Sequence, residues 1–345
     1  MEKKTNDKVL IGMARKMKKP NTVVLAAAHA AHMIDCDFIF FNFENFDMNN
    51  NKVTGLIYHD GKWQEAKTRL PDVIDNSPPR KEHKHIFEAI KNSIPTTMRR
   101  IGNKDYVNKR LLKEKVYNHL IIPFRQVESH DIIIDFLDEH RKVVLKPTGG
   151  NQGENIYYIE KNGHSYEIKG PKIAGFFNEK EFIKIITPFT LKKYIVQKYI
   201  ASSTKNHIPF DIRIHVRRGK EGKWNTINIY PRIGNGNEND ITSNVSQGGS
   251  ISKLVPFLKN HYPEKWKDIR NQLKKLAREF PIYFQKDYTE RIDALGLDVG
   301  IDGKGDIWLF EVNSYPGSTS FELKAQIVAM EYAKFLAVEQ KSNKK

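Results

Sequence analysis

Apolar and polar positions in the first hundred residues follow two different spacings. Short apolar runs at residues 9–13, 37–43 and 53–59 have the length of strands, and the spacing across residues 23–33 predicts a helix between the first two. Strands that alternate with a helix in this way favour a small open α/β domain. No residue pattern in this stretch indicates chemistry.

The pattern changes after Asn108. Helices are predicted at residues 109–118 and 132–140, and strands at residues 142–146 and 156–159. The glycine-rich stretch 148–155 joins the two strands, which predicts a hairpin. Walker A and dinucleotide-binding loops join a strand to a helix instead, so neither motif is indicated here.

The C-terminal part combines strands with two long amphipathic helices. Strands are predicted at residues 194–197, 211–216, 224–230, 297–301 and 306–313. A helix around residues 266–280 carries an apolar stripe typical of packing against a core. A last helix over residues 322–339 is predicted to turn Leu323, Ile327, Met330 and Phe335 inward.

Length and composition indicate a folded chain. The chain has 345 residues, of which 39% are hydrophobic, enough to bury a core in two or three domains. The formal net charge of +16 attracts anionic partners such as a nucleotide, an acidic peptide or a polyanionic polymer. Much of that charge lies at the termini and on helices, where a solvated surface is the ordinary explanation. The sequence shows no RNP-like aromatic motif or basic recognition helix, so nucleic acid is not a favoured partner.

Cysteine content and hydropathy point to a cytoplasmic protein. The single cysteine, Cys36, excludes an intramolecular disulfide and a cysteine-rich zinc site. The polar, lysine-rich start and the absence of an apolar run near the roughly 20 residues of a membrane span predict neither a signal peptide nor a transmembrane helix. We therefore expect a soluble intracellular protein. Nothing in the sequence indicates an oligomeric state.

Three polar residues are candidates for a metal site. Period two places Glu311 and Asn313 on one face of their strand, with Trp308, Phe310 and Val312 on the other. If the turn centres near Lys304, Asp298 lies across the hairpin from Glu311, within a residue of register. Two carboxylates and an amide oxygen suit Mg²⁺, which completes its shell with phosphates and water. The alternative is the solvated polar face of an exposed hairpin.

Two further groups carry charge that could serve catalysis. Lys146 ends a buried strand just before the glycine-rich stretch, where its ammonium could hold phosphate oxygens, although a lysine there can also simply reach into solvent. Asp211 and Arg213 share one face of their strand, and Arg232 follows downstream. Guanidinium groups match a carboxylate or an acyl phosphate, but a cross-strand salt bridge between Asp211 and an arginine explains the same residues.

The order of these pieces resembles the ATP-grasp superfamily. The similarity is closest to the YheC/YheD-type endospore coat-associated proteins, with kinship to the RimK-like glutamate ligases. The matching phrases are Leu145-Lys146-Pro147-Thr148-Gly149-Gly150-Asn151-Gln152-Gly153, Pro209-Phe210-Asp211-Ile212-Arg213, Leu295-Gly296-Leu297-Asp298 and Phe310-Glu311-Val312-Asn313-Ser314-Tyr315-Pro316-Gly317. As a set in this order the motifs are specific, whereas each alone is weak. The resemblance covers residues 100–335 well.

The resemblance implies a role for each matching position. It assigns Lys109 and Lys146 to ATP phosphates, with Lys104 as a rival for the first lysine because it too follows an asparagine. It assigns the closing glycine hairpin to Gly149, Gly150, Gln152 and Gly153, the adenine slot to Gln197, Lys198, Tyr199 and Ile200, and further nucleotide contacts to Asp211. One or two Mg²⁺ ions, replaceable by Mn²⁺, are implied at Asp298, Glu311 and Asn313. Catalytic roles fall to Arg232, Arg213 and Lys146.

One position departs from the family pattern. Lys198 stands where an acidic residue is common in the adenine hinge. Recognition of the base by the backbone is still expected, but a side-chain contact with the ribose is not supported.

These inferences predict an α/β (α+β) protein with the ATP-grasp fold. Residues 1–103 would form an N-terminal α/β domain, 104–198 a central lobe, 199–338 a C-terminal lobe and 339–345 a basic tail. The predicted function is an ADP-forming ligase that activates a carboxylate as an acyl phosphate and joins it to an amine. The substrate class suggested by the resemblance is an amino acid, a peptide or a cell-envelope or spore-coat component. A small-molecule kinase and a non-catalytic spore-coat scaffold are the alternatives.

Overall fold

The computed structural model describes residues 8–17, 19–47, 49–76, 84–97, 99–113, 115–148, 155–236, 249–318 and 321–343. Within these ranges the strands form three sheets, which follow one another along the chain. Each sheet packs its own helices, and the two later sheets carry the residues that the sequence singles out.

The first sheet is built from the N-terminal residues. Its strands are β1 (Leu10–Ala14), β2 (Asp37–Phe41), β3 (Phe46–Asp47), β4 (Lys52–His59), β5 (Lys62–Arg69) and β6 (Val73–Asn76). Both β2 and β6 run parallel to β1, and β4 and β5 form a hairpin. The helices of this region are α1 (Thr22–Met33) and α2 (Lys84–Ser93). The predicted open α/β arrangement is therefore present.

The second sheet spans the glycine-rich stretch. Its strands are β7 (Phe124–Gln126), β8 (Lys142–Pro147), β9 (Tyr157–Asn162), β10 (Ser165–Lys169), β11 (Gly175–Asn178) and β12 (Tyr194–Lys198), in the order β11-β10-β9-β8-β12-β7. Helices α4 (His130–His140) and α5 (Glu179–Thr190) cover one face through Phe136 and Phe182. Strands β8 and β9 pair antiparallel, which confirms the predicted hairpin.

The helix before this sheet was misplaced by the sequence pattern. Helix α3 runs over Lys104–Lys113, whereas the prediction began at residue 109. Asn103 explains the earlier start, because its Oδ1 accepts a hydrogen bond from the Tyr106 N–H at 2.8 Å and caps the first turn. Lys104 thus becomes the first residue of the helix.

The third sheet carries the candidate metal residues. Its strands are β13 (Phe210–Arg218), β14 (Trp224–Ile233), β15 (Ser250–Ile251), β16 (Ala294–Ile301) and β17 (Ile307–Asn313), in the order β15-β14-β13-β16-β17. Helices α6 (Leu254–His261) and α7 (Trp266–Gln285) pack on one face, where Ile212, Leu273 and Leu297 are fully buried. The opposite face carries the polar side chains of β13.

The last helix, α8 (Glu322–Asn343), joins the ends of the chain. Its alanines, with Met330, pack against the alanines of α1 in the core of the first sheet. The prediction that Leu323 turns inward was wrong, since 46% of Leu323 is exposed. The buried stripe is made of small residues because the two helices lie against each other. The helix also extends four residues beyond the predicted end at residue 339.

Candidate active site

Four charged side chains form a connected network on the polar face of the third sheet. Arg213 and Asp298 are direct partners across β13 and β16, and Asp211 and Arg232 are direct partners across β13 and β14. The Arg213 guanidinium donates through Nε and Nη2 to the two Asp298 oxygens. Arg232 donates to Asp211 at 2.7 and 2.6 Å, and its Nη2 also lies 3.0 Å from Asp298 Oδ2. We call these four residues the arginine–aspartate network.

The network is electrically balanced and almost buried. Burial alone would raise the pKa of Asp298, but the charges of Arg213 and Arg232 outweigh it and hold that pKa below its ordinary value. Burial likewise opposes the charge on Arg232, yet Asp298 and Asp211 raise the pKa of its guanidinium. Asp298 and Arg232 are therefore both charged at neutral pH. The cross-strand ion pair considered as the ordinary explanation for Asp211 is present, and it fixes the direction in which Arg232 points.

The three candidate metal residues lie together at the end of the hairpin. Asp298 is paired directly with Glu311, as the turn position predicted. Asn313 donates its amide to Asp298 Oδ2 at 3.2 Å, which leaves its own amide oxygen for another partner. Glu311 is about a quarter exposed, and its Oε2 lies 3.4 Å from Lys104 Nζ.

A bulge changes which side chains accompany Glu311. The register gains one residue on β17, because Asp298 pairs with Glu311 whereas Val299 pairs with Leu309. Ile307, Leu309 and Val312 therefore enter the core, while the Phe310 ring lies over Gly300 on the other side. The prediction that Trp308 and Phe310 share a face with Val312 was wrong for this reason. Both rings lie outside the core that Val312 joins.

These residues do not form a metal site made of protein ligands alone. They fit a metal ion that also has phosphate ligands. Among the residues that the structure describes, no group of three His, Cys, Asp or Glu side chains could hold an ion. Asp298 is already neutralised by two guanidinium groups, which leaves the Glu311 carboxylate and the Asn313 amide oxygen as the most accessible donors. Mg²⁺ commonly uses one or two carboxylates plus nucleotide phosphates. The donor set therefore fits Mg²⁺, with the phosphates supplying further ligands.

Lysines face these carboxylates from the second sheet and from α3. Burial, together with the nearby charge of Lys104, lowers the pKa of Lys146 to about 8, against a smaller opposing effect of Glu311. No described carboxylate lies within ion-pair distance of Lys146. We call Lys104 and Lys146 the lysine pair. With Glu311 they leave an excess of one positive charge, which suits an anion.

Lys109 lies nearby but in a different setting. It lines a cavity of about 650 Å³ together with Thr148, at the end of β8, and Lys192 and Lys193, which precede β12. The cavity opens beside the start of the glycine-rich stretch. Gly149, Gly150, Gln152 and Gly153, predicted to close over the phosphates, lie outside the described residues.

The predicted adenine hinge, residues 197–200, spans the end of β12 and the two residues after it. The N–H of Lys198 donates to the Pro123 carbonyl and that of Tyr199 to the Lys142 carbonyl, each at 3.0 Å. Within the described part of the chain, the N–H of Ile200 has no acceptor. Gln197 is buried, and Lys198 Nζ lies 5.5 Å from the centre of the Trp308 ring. Among the described N–H groups of residues 198–200, that of Ile200 is the one that can donate to a nucleotide base.

Two features of this cleft do not follow from the sequence pattern. Lys104 was predicted only as a rival for a phosphate role, whereas the structure pairs it with Glu311. Trp308 and Phe310 were predicted to share a face with Val312, whereas both lie apart from the core that Val312 joins. Asn103 is a favourable helix cap, so the sequence did contain a signal for a helix that begins at Lys104. The period-two pattern of β17 contains no signal for its extra residue.

Comparisons with known proteins point to one family. A family model described as YheC/D like ATP-grasp matches residues 93–336. The endospore coat-associated protein YheD of Bacillus subtilis (strain 168) is 24% identical over 299 residues, which cover 81% of this chain and 64% of YheD. The endospore coat-associated protein YheC of the same strain is 24% identical over 298 residues, covering 81% of each chain. The chain thus spans just under two thirds of YheD.

No described helix is long and apolar enough to cross a membrane.

Solved structures share the fold at low identity. The ATP-grasp ligase PsnB, complexed with the precursor peptide PsnA2 and AMPPNP, has a TM-score of 0.53 at 10% identity, covering 95% of this chain and 98% of PsnB. N5-carboxyaminoimidazole synthetase from Staphylococcus aureus, complexed with ADP, has a TM-score of 0.52 at 9% identity, covering 94% and 77%. The predicted ATP-grasp fold is confirmed. Since the family model matches well over half of its length, the chain belongs to the YheC/D-like ATP-grasp family.

Proposed function

We propose that this protein is an ADP-forming ligase that activates a carboxylate with Mg·ATP and transfers the acyl group to an amine. The observation that carries the proposal is that lysine and arginine side chains border the same cleft, which lies around Glu311 between the second and third sheets. The lysine pair faces it with excess positive charge, and the arginine–aspartate network borders it with fixed guanidinium groups. The fold neighbours support the choice of nucleotide, since PsnB is described with AMPPNP and also with Mg and ADP.

Nucleotide binding would use residues from both later sheets. Lys146 and Lys109 would hold phosphate oxygens, and the Ile200 N–H would bind the edge of the base on the side of Lys198 and Trp308. Glu311, Asn313 and Asp298 would hold Mg²⁺, which supplies charge neutralisation of the phosphates when bound. The proposed lobes are residues 1–103, 104–198 and 199–338, with the nucleotide between the last two.

The chemistry would proceed in two balanced steps. A substrate carboxylate oxygen attacks the γ-phosphorus, the bond to the β-phosphate oxygen breaks, and ADP leaves with an acyl phosphate formed. The amine then attacks the acyl carbon, the amine loses a proton, and inorganic phosphate leaves. Positioning and charge stabilisation supply most of the rate in such transfers.

The arginines suit the acyl-phosphate step by their geometry. In the described structure the Nη1 groups of Arg213 and Arg232 have no acceptor, whereas their Nε and Nη2 groups are held by carboxylates. Each guanidinium is thus fixed in direction and keeps a donor for substrate. Asp211 would act through Arg232 by holding it in place, rather than by touching the nucleotide.

Hydroxylamine trapping tests the proposal. The protein is incubated with Mg·ATP, hydroxylamine and pools of amino acids, peptides and cell-wall precursors, and ADP and new masses are followed. A ligase gives a hydroxamate that depends on a carboxylate substrate, and the Glu311→Gln variant gives none. A stable phosphate ester without hydroxamate would establish the kinase alternative, and no turnover with any pool would favour a scaffold. The relatives' names place them with the endospore coat, so spore-coat peptides belong in the pools.

A further inference from the structure

Lys104 contacts a residue that the proposed function needs for a metal ion. Its Nζ lies 3.4 Å from Glu311 Oε2, and the two side chains are 25% and 28% exposed. A carboxylate paired with an ammonium is less available to a divalent cation, because both cations compete for the same oxygens. The pair is also open to solvent, which screens and weakens it. Lys104 is therefore a competitor that a stronger cation can displace.

The backbone around Lys104 is fixed although its side chain is long. Gly102 has a φ of +100°, a conformation that favours glycine, and any Cβ there would meet the Tyr106 ring at 2.4 Å. Asn103 then caps α3 through its hydrogen bond to the Tyr106 N–H. These two residues hold Lys104 at the edge of the cleft. Its four-carbon side chain can still turn about this anchor.

A second partner for Lys104 lies on the lysine side of the cleft. Lys104 is close enough to Lys146 for its charge to disfavour the ammonium of Lys146. The two lysines repel each other in the absence of an anion, and phosphate oxygens between them would remove that repulsion. Lys104 thus has two alternative anionic partners within reach, Glu311 and the phosphates expected at Lys146.

We propose that Lys104 stands in for the metal ion at Glu311 in the nucleotide-free protein and moves to the nucleotide phosphates when metal and nucleotide bind. This inference rests on the proposed function, since it assumes that both ligands enter this cleft. The exchange couples the two binding events. The free protein binds metal weakly while Lys104 occupies Glu311, and the metal–nucleotide complex binds well because its phosphates take over the ammonium.

Binding of Mn²⁺ to the nucleotide-free protein tests the first half of the exchange. Titration followed by electron paramagnetic resonance should show about two- to fivefold tighter binding by Lys104→Gln than by wild type, the range expected from losing a screened competitor. Lys113→Gln, at the exposed C-terminal end of the same helix, is the matched control and should bind Mn²⁺ as wild type does. In a Glu311→Gln background the Lys104 substitution should have no effect.

Calorimetry with Mg²⁺ and AMPPNP tests the second half. Lys104→Gln should bind the metal–nucleotide complex more weakly than wild type, although it binds Mn²⁺ alone more tightly. Mn²⁺ binding that is unchanged or weaker in Lys104→Gln overturns the inference, as does a gain that persists without Glu311. If the Mn²⁺ gain is found but the wild-type protein binds no nucleotide, the proposed function and the phosphate half of the exchange both fail, whereas the competition at Glu311 stands.

Discussion

The two charged regions of the cleft differ in how their charges are satisfied. In the arginine–aspartate network two guanidinium groups meet two carboxylates, so the net charge is zero and the Nε and Nη2 groups of both arginines are held. The lysine pair has one carboxylate nearby, Glu311, which only Lys104 contacts, and keeps one positive charge in excess. The charges of the network balance one another without a ligand, whereas those of the lysine pair and Glu311 do not.

The difference shows how one site can combine rigidity with affinity for an anion. Bidentate contacts hold Arg213 and Arg232 in one direction, which favours orientation of a reacting group. The lysines have flexible side chains and weaker partners, which favours neutralisation of a polyphosphate that arrives and leaves. We therefore expect damage to the network to alter stability and turnover, and damage to the lysine pair to alter nucleotide affinity.

The largest expected effect is on stability, from breaking the network. Asp211→Ala removes the bidentate partner of Arg232 and leaves a buried guanidinium partly uncompensated, which typically costs about 3–5 kcal/mol. Urea unfolding would measure the loss. Glu221→Ala, which breaks a fully exposed ion pair with Lys223 near the same sheet, should show no resolvable change. Equal stability of both variants would contradict the view that the network is a buried structural unit.

The next effect is on turnover. Arg232→Lys keeps one charge near Asp298 but loses the fork that Asp211 holds, so Mg·ATP should still bind while turnover falls about 10²–10³-fold. Calorimetry for binding and ADP release for turnover separate the two quantities. Matched losses in both would place Arg232 among the nucleotide contacts instead.

The comparison also shows which parts of the site the sequence can predict. The pairing of Asp298 with Glu311 was predicted correctly because the polar turn at residues 302–305 fixes the register of a local hairpin. The alternation on β13 likewise placed Arg213 and Asp211 on one face. Local periodicity was enough to place these two pairs of residues.

Features that depend on the packing of individual side chains or on distant contacts could not be predicted. At the bulge the Phe310 ring lies over Gly300, and the period-two pattern carries no sign of the extra residue. The inward face of α8 is set by α1, about 300 residues earlier in the chain, so the larger Leu323 remains outside while alanines are buried. The contact of Lys104 with Glu311 joins α3 to β17 in the same way.

On the lysine side, removing one charge should weaken nucleotide binding. Lys146→Met keeps the length of the side chain but removes the ammonium, and a hydrogen bond to a charged group contributes about 1.5–3 kcal/mol. AMPPNP affinity measured by calorimetry should fall accordingly, with unfolding in urea unchanged within error. An affinity equal to that of wild type would remove Lys146 from the phosphate site.

Acid should act on the network side through His215. This ring is fully buried beside Phe321, its nitrogens have no hydrogen-bond partner among the described residues, and burial with the charges of Arg217 and Arg213 lowers its pKa well below 6.5. Below pH 6.5 His215 binds a proton in the unfolded chain but not in the folded chain. The free energy of unfolding therefore falls by up to about 1.4 kcal/mol for each unit by which the pH is lowered. His215→Gln should remove this part of the slope. Parallel curves for the two proteins would show that His215 does not contribute.

Alkali should act on the lysine side, and its effect is the smallest of the five. With a pKa of about 8, Lys146 is mostly protonated at pH 7 and mostly neutral at pH 9 in the free protein. Phosphate binding favours the protonated form, so AMPPNP affinity should be constant below pH 7 and fall about tenfold between pH 7 and pH 9. Lys146→Arg keeps its charge throughout this range and should show a flatter profile whatever its absolute affinity. If the two pH profiles are parallel, the loss of AMPPNP affinity at high pH comes from another group. Lys146 would then not be the cation that gives the lysine side of the cleft its excess positive charge.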